Sequence, residues 1–150
     1  MARMKVEFEG FDEVMKKLKH LDADVHNITD KALRETHRIV TDKAEQAMAG
    51  HNLTGQTIGS LRTDAEIIWR GEVAEVPVGF DIKAGGLASI FLMYGTPRHG
   101  PYGRTPGARG GHPGTQAVRE LYNAFYGAGT RNEVRTAQEQ IFYAALRGLE

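Results

Sequence analysis

The sequence predicts an α+β domain: a small, mostly antiparallel sheet, a long N-terminal helix packed on it, C-terminal helices, and one long Pro/Gly-rich loop. Three observations lead there. Apolar residues recur every three or four positions in the first third of the chain and again near its end, which is the period of an amphipathic helix. Between those stretches, apolar and polar residues alternate with period 2, as in half-buried strands. The 150 residues, 41% hydrophobic and 25% charged, suffice for one core and are too ordinary in composition for wholesale disorder. No segment repeats and no linker divides the chain, so residues 1–150 are expected to form a single domain.

Met4, Val6 and Phe8 alternate with Lys5 and Glu7, which predicts a short strand ended by Gly10, with Asp12 as the N-cap of a helix. Phe11, Val14, Leu18, Leu21, Val25, Ile28 and Ala32 form its apolar stripe, with Lys16, Lys17, Lys19 and Asp24 outside it. The stripe weakens over 20–27 and resumes through Leu33, Val40, Ala44 and Ala47. A short helix and then a long one over residues 23–50, closed by Gly50, are therefore expected. A continuous coiled coil would need three to four clean heptads, and the stripe drifts before that.

The middle of the chain reads as β. Ala65, Ile67 and Trp69 alternate within 60–70, Gly71-Glu72 looks like a hairpin turn, and 73–80 runs back. Pro77 marks that second run as an edge or bulged strand. The run Leu87–Tyr94 is nearly all apolar and predicts a third strand, buried on both faces. Residues 97–114 differ in kind: six Gly and four Pro fill more than half of the positions, with Arg98, Arg104, Arg109, His99 and His112 but no Asp or Glu. A loop this long inside a small domain is uncommon and usually functional or disordered. Helical spacing returns with Val118, Leu121, Tyr122 and Phe125, breaks at Gly127-Ala128-Gly129, and resumes through Val134, Ala137, Ile141, Ala144 and Ala145.

Composition narrows the chemistry. Lys and Arg (19) balance Asp and Glu (19), whereas a protein devoted to nucleic acid usually shows a basic excess. The absence of cysteine excludes a disulfide scaffold, a thiolate metal site and a Cys nucleophile. Ser60 and Ser89 are the two serines, and neither sits in a Gly-x-Ser-x-Gly elbow. No pair of histidines has His-Glu-x-x-His spacing, and His20 and His26 fall on different helix faces. Asp22-Ala23-Asp24 lacks the Gly and closing Glu of a calcium loop, and 107–114 lacks the Gly-Lys-Ser/Thr of a phosphate loop. Neither catalysis nor a cofactor is expected. The longest apolar run, residues 90–94, is far short of the roughly 20 residues that span a bilayer, and the N-terminus has no run like that of a signal peptide. No membrane partner is expected.

The order of landmarks carries further information. A starting strand leads into Glu9-Gly10-Phe11-Asp12-Glu13-Val14 and a Lys-rich helix. A long helix precedes Leu53-Thr54-Gly55 and Gly59-Ser60-Leu61-Arg62. A hairpin, an apolar run ending in Met93-Tyr94-Gly95-Thr96, the Pro/Gly loop and helices after His112-Pro113-Gly114 complete the chain. This order resembles the tail-completion, or head-to-tail joining, minor tail proteins of long-tailed bacteriophages and prophages, over nearly the whole chain. Met93 departs from the acidic residue usual there in the family, and the four residues Gln56–Gly59 lengthen the gap before Ser60-Leu61-Arg62.

What the resemblance implies is a non-enzymatic virion component, assembled in the host cytoplasm, that forms a ring of six copies at the top of the tail. Its implied partners are other copies of itself, the head connector (adaptor or stopper) and the tail terminator or tail tube protein, with DNA passing through the channel as a further contact. Thr54-Gly55 and Gly95-Thr96 are read first as turns, where Gly supplies a positive φ. Phe80, Ile82, Leu87, Ile90, Leu92 and Tyr94 offer more apolar surface than a small sheet can hide, and are the expected oligomer interface.

The loop is the other candidate contact, through Arg98, His99, Tyr102, Arg104, Arg109 and His112. As a flexible coil it would span about 23–25 Å, against a radius of gyration of about 15 Å for the body, so it can reach a neighbour. Its charge suits an anionic target, either carboxylates or DNA, or it is a disordered surface insertion. The alternative function is a nucleic-acid-binding module built on this loop. Three phosphate contacts give a salt slope of only about −2.7, so one subunit would bind weakly.

Overall fold

A computed structural model describes residues 15–16, 25–51, 54–97 and 114–148. The expected strand over 4–8, the first helix apart from helical Met15 and Lys16, and residues 98–113 lie outside the described residues. The fold is α+β, with the long N-terminal helix where the sequence places it. In chain order the elements are α1 (Val25–Met48), a short α2 (Gln56–Gly59), β1 (Ile68–Arg70), β2 (Val73–Glu75), α3 (Leu87–Tyr94), α4 (Arg119–Tyr126) and α5 (Ala128–Arg147).

α1 buries one stripe, Thr29, Ala32, Thr36, Val40, Ala44 and Met48, whose spacing of three and four follows from 3.6 residues per turn. α4 and α5 cover most of that stripe. Ala32 faces Phe142 near one end of the α1–α5 pair. Further along, Ile39, Val40, Ala44 and Met48 share the main core with Leu61, Val78, Phe80, Met93, Leu121, Phe125 and Val134. Two buried polar side chains tie the helices together: Gln138 Nε2 donates to Thr36 Oγ1 at 2.6 Å, and Thr36 Oγ1 donates to the Ala32 carbonyl at 2.9 Å.

The expected hairpin exists, with a shorter ladder than the alternation predicts. β1 and β2 pair antiparallel, Trp69 opposite Ala74 and Arg70 opposite Val73, around the predicted Gly71-Glu72 turn. The arm closes again at its base, where Leu61 pairs with Phe80. Between tip and base, residues 62–67 face the shorter stretch 76–79, so the registers cannot match. Pro77 has no N–H to donate, and the ladder ends before it at Glu75. Val76, Val78 and Phe80 nevertheless keep strand-like alternation and are all buried. The hairpin is held to the first turns of α1 by Trp69, whose Nε1 donates to Asp30 Oδ1 at 3.0 Å and whose ring lies 4.1 Å from that of His26.

The largest departure is Leu87–Tyr94, which is a helix and not a doubly buried strand. An eight-residue apolar run is ambiguous by periodicity alone. Here the preceding turn decides. Asp81 Oδ1 accepts from the Lys83 N–H at 2.9 Å and the Asp81 carbonyl accepts from the Gly86 N–H at 2.8 Å, winding the chain before α3 begins. Gly86 fits there because a Cβ would lie 2.7 Å from the Asp81 carbonyl oxygen and 2.8 Å from Phe80 Cβ. Ser89 Oγ then donates to the Gly86 carbonyl at 2.6 Å, bracing the first turn. The break between α4 and α5 falls at Gly127, while Gly129 lies inside α5.

Candidate functional site

α3 presents its apolar side outward. Only Ser89 and Met93, one helical turn apart, are buried, and Leu92 is half-buried against the core. Leu87 (51% exposed), Ile90 (37%), Phe91 (46%) and Tyr94 (59%) stand on the surface at i, i+3, i+4 and i+7. A solvent-facing stripe of that spacing normally carries charge, yet α3 has no Lys, Arg, Asp or Glu. Ile82 in the preceding turn and Tyr122 on α4 are exposed as well. Scattered exposed apolar residues need no explanation, whereas a group of this kind on one element marks an interaction surface.

Aromatic side chains extend the face onto α4. The Tyr94 and Tyr122 rings meet edge-on at 5.9 Å, and Tyr122 and Tyr126 lie 5.1 Å apart. Burial, and then the neighbouring Tyr94 and Tyr122, push the Tyr126 phenol above its ordinary value. Beside it a cleft of about 190 Å³ opens, lined by Phe80, Ile82, Ile90, Met93, Phe125 and Tyr126 among others. Tyrosine-rich apolar surface of this sort is typical of the energetic centres of protein–protein contacts.

Of the expected interface residues, Ile82, Leu87, Ile90 and Tyr94 are exposed on this face. Leu92 is half-buried, and Phe80 is a core residue at 6% exposure, its ring 6.0 Å from that of Phe125. Phe80 is therefore unavailable to a partner except as part of the cleft wall. Phe91 and Tyr122 are additions to the expected set. A helical reading of Leu87–Tyr94 would have paired Phe91 with Leu87 and Tyr94, while nothing in the sequence places Tyr122 beside Tyr94.

The loop residues Arg98, His99, Tyr102, Arg104, Arg109 and His112 lie outside the described residues, but both ends of the loop are described. Thr96 and Thr115 pair antiparallel, with N–H to carbonyl distances of 2.8 and 3.2 Å, and the Thr115 N–H also reaches Thr96 Oγ1 at 2.8 Å. The Leu92 carbonyl accepts from the Val118 N–H at 2.7 Å just beyond. The loop thus leaves and rejoins the body at one point, at the C-terminal end of the exposed α3 face. Gly95, at φ 71°, makes the turn into this bridge, and Gly55, at φ 77°, fits its expected role as a turn residue.

Elsewhere the polar groups serve the body. His37 is buried beside Thr41; desolvation holds its pKa below the ordinary imidazole value, with the Asp64 charge and the Arg62 backbone opposing. Arg38 is exposed and paired with Glu35 and Asp42 on the outer side of α1. Among the described residues no three His, Asp or Glu side chains are grouped as a metal site would require, and no helix is long and apolar enough to cross a membrane. No family model matches the chain, and neither a curated protein nor a solved structure matches it significantly.

Proposed function

We propose that the chain is a non-enzymatic structural component of a long-tailed phage or prophage particle, forming a ring at the head–tail junction that joins the tail to the head connector. The observation that carries this reading is the uncharged, aromatic-rich face of α3 and α4, which fits a subunit that works by contact with other protein. Two further features support it. The order of landmarks from Glu9-Gly10-Phe11 to His112-Pro113-Gly114 resembles that of tail-completion proteins. Thr96 and Thr115, which bracket the segment that carries Arg98, Arg104 and Arg109, pair at the edge of the same face, so a ring would carry that segment once per subunit from a repeated base. Such repetition strengthens a contact that is feeble in one copy.

Light scattering of the purified full-length protein over a wide concentration range, with negative-stain microscopy, tests the reading. Closed rings of a single stoichiometry, six by the family resemblance, are expected. A monomer at every concentration that is also single-copy in the assembled particle would overturn it.

A further inference from the structure

We propose that residues 62–67 form an acid-released strap over α1: proton uptake by the buried His37 ring lifts this stretch off the helix, while Trp69 keeps the hairpin tip in place. The proposal goes beyond the ring reading and does not depend on it. His26 and His37 are eleven residues apart on α1, which sets them about 20° from each other around the helix and about 16 Å apart along it. The hairpin arm follows that flank. Trp69 sits at the first position, against His26 and Asp30, and Arg62 and Asp64 act on His37 at the second. The five steps from Asp64 to Trp69 span about 16 Å of extended chain, the same distance. Ala65 and Ile67 are half-buried between the exposed Asp64 and Glu66, as in a strand laid on a helix.

The strap is fixed at both ends and weak between them. At its base the Arg62 N–H donates to the Gly79 carbonyl at 2.9 Å, and beyond Ile67 the chain pairs with β2. Residues 63–67 belong to no ladder, whereas α4 and α5 hold α1 itself. The strap is therefore the element that yields first. Beneath it His37 is 3% exposed, its Nδ1 lies 3.5 Å from Thr41 Oγ1, and its Nε2 has no hydrogen-bond partner among the described residues. A second proton on this ring is a buried charge with a donor left unsatisfied. The Asp64 carboxylate and the Arg62 backbone favour the charged ring, but desolvation outweighs them. The other polar groups of this region are engaged or neutral. The Arg62 guanidinium reaches Asp81, Arg38 is held by Glu35 and Asp42, and Gln138, which α5 brings onto Thr36, carries no charge. Lifting the strap lets water reach the ring without parting the helices.

The natural absence of cysteine makes the test clean. Spin labels on Thr63→Cys and Gln140→Cys, both exposed positions of the full chain, report the distance from the strap to α5 by electron paramagnetic resonance. One distance is expected at pH 7.5. Below about pH 6.5, the ordinary imidazole value, a second and longer distance should appear. One proton is taken up per opening, so its weight relative to the first should rise by up to about tenfold per pH unit. Labels on Val73→Cys and Gln140→Cys should show one unchanged distance, because the tip stays latched. His37→Gln should remove the second distance at every pH. Asp64→Asn, at an exposed position that folding does not need, should enlarge it at a given pH, since it takes away the charge that favours a protonated ring under the closed strap. A single strap distance down to pH 5 would overturn the proposal, as would a second distance that persists in His37→Gln or shrinks in Asp64→Asn. Movement of the tip together with the strap would mean that the hairpin detaches as a whole, and would overturn it too.

Discussion

Gly95 is the point at which backbone geometry, loop anchoring and the exposed face meet, and Gly95→Ala should be severely destabilising. Its φ of 71° and ψ of 175° lie in a region that is essentially reserved for glycine. Placing an L residue there costs about 1–3 kcal/mol. The added Cβ would also lie 2.6 Å from the Thr115 carbonyl oxygen and 3.0 Å from the Ala117 nitrogen. Both are backbone atoms that cannot swing aside, so the Thr96–Thr115 bridge must open. Losing its hydrogen bonds adds about 0.5–1.5 kcal/mol for each one broken. With both N–H to carbonyl bonds of the bridge lost, the expected total is about 2–6 kcal/mol, a fall in Tm of about 4–24 °C for a chain of this length. Gly129→Ala is the internal control, because it sits in the first turn of α5 with nothing within 4 Å of the new Cβ. There the smaller unfolded-state entropy should stabilise by about 0.5 kcal/mol. Urea titrations of both variants should move the midpoint in opposite directions at constant slope. A Gly95→Ala protein as stable as the parent would refute the closed loop base and the strain argument together.

Three other outcomes are expected from the structure. Because burial holds His37 below its usual pKa, the unfolded chain takes up the proton first; stability is complete above about pH 6.5 and declines as pH falls from there toward the folded-state value. Urea midpoints across pH 5–8 should show this, the decline should flatten in His37→Gln, and an unchanged decline would assign it to other groups. Gln138 has one amide nitrogen on Thr36 but no partner for Oε1 among the described residues, so Gln138→Leu should cost less than about 1 kcal/mol or stabilise; Gln138→Ala, which leaves a cavity, should cost about 2–4 kcal/mol, and equal losses in both would show that the amide matters more than the volume. Replacing Arg98, Arg104 and Arg109 together by Ala should leave Tm nearly unchanged while lowering the yield of joined particles, and normal yields would reduce the loop to decoration.

The helices were legible because their signal is periodic. The stripe from Ile28 to Ala47 and the one from Val134 to Ala145 each need only 3.6 residues per turn to be seen, and both helices stand within a few residues of their expected bounds. The hairpin was legible in outline, since Gly71-Glu72 and Pro77 mark its turn and the end of its ladder. Leu87–Tyr94 was not, because a run that is apolar at every position but Ser89 has almost no period to read. Its helical state depends on the turn around Asp81 and Gly86, which precedes the run and is not part of its pattern, and on tertiary contacts with Phe80 and α4. The candidate site obeyed the same rule. Four of the six expected interface residues are exposed on and beside α3 because their apolar character in one short stretch was visible, although the element was misassigned. The cleft and the Tyr94–Tyr122–Tyr126 cluster join residues some 30 positions apart and had no local signature. The polar layer of Thr36, His37 and Gln138 was hidden for the opposite reason, since each reads as an ordinary surface residue until α1 and α5 are packed together.

Whether this chain joins tails to heads is decided by a joining assay. Cells carrying the phage or prophage with this gene deleted are lysed, purified full-length protein is added, and joined particles are counted by electron microscopy. Complete heads and complete tails should stay separate without the protein, and join when it is supplied in ring form. Particles that join equally well without it would contradict the proposed role.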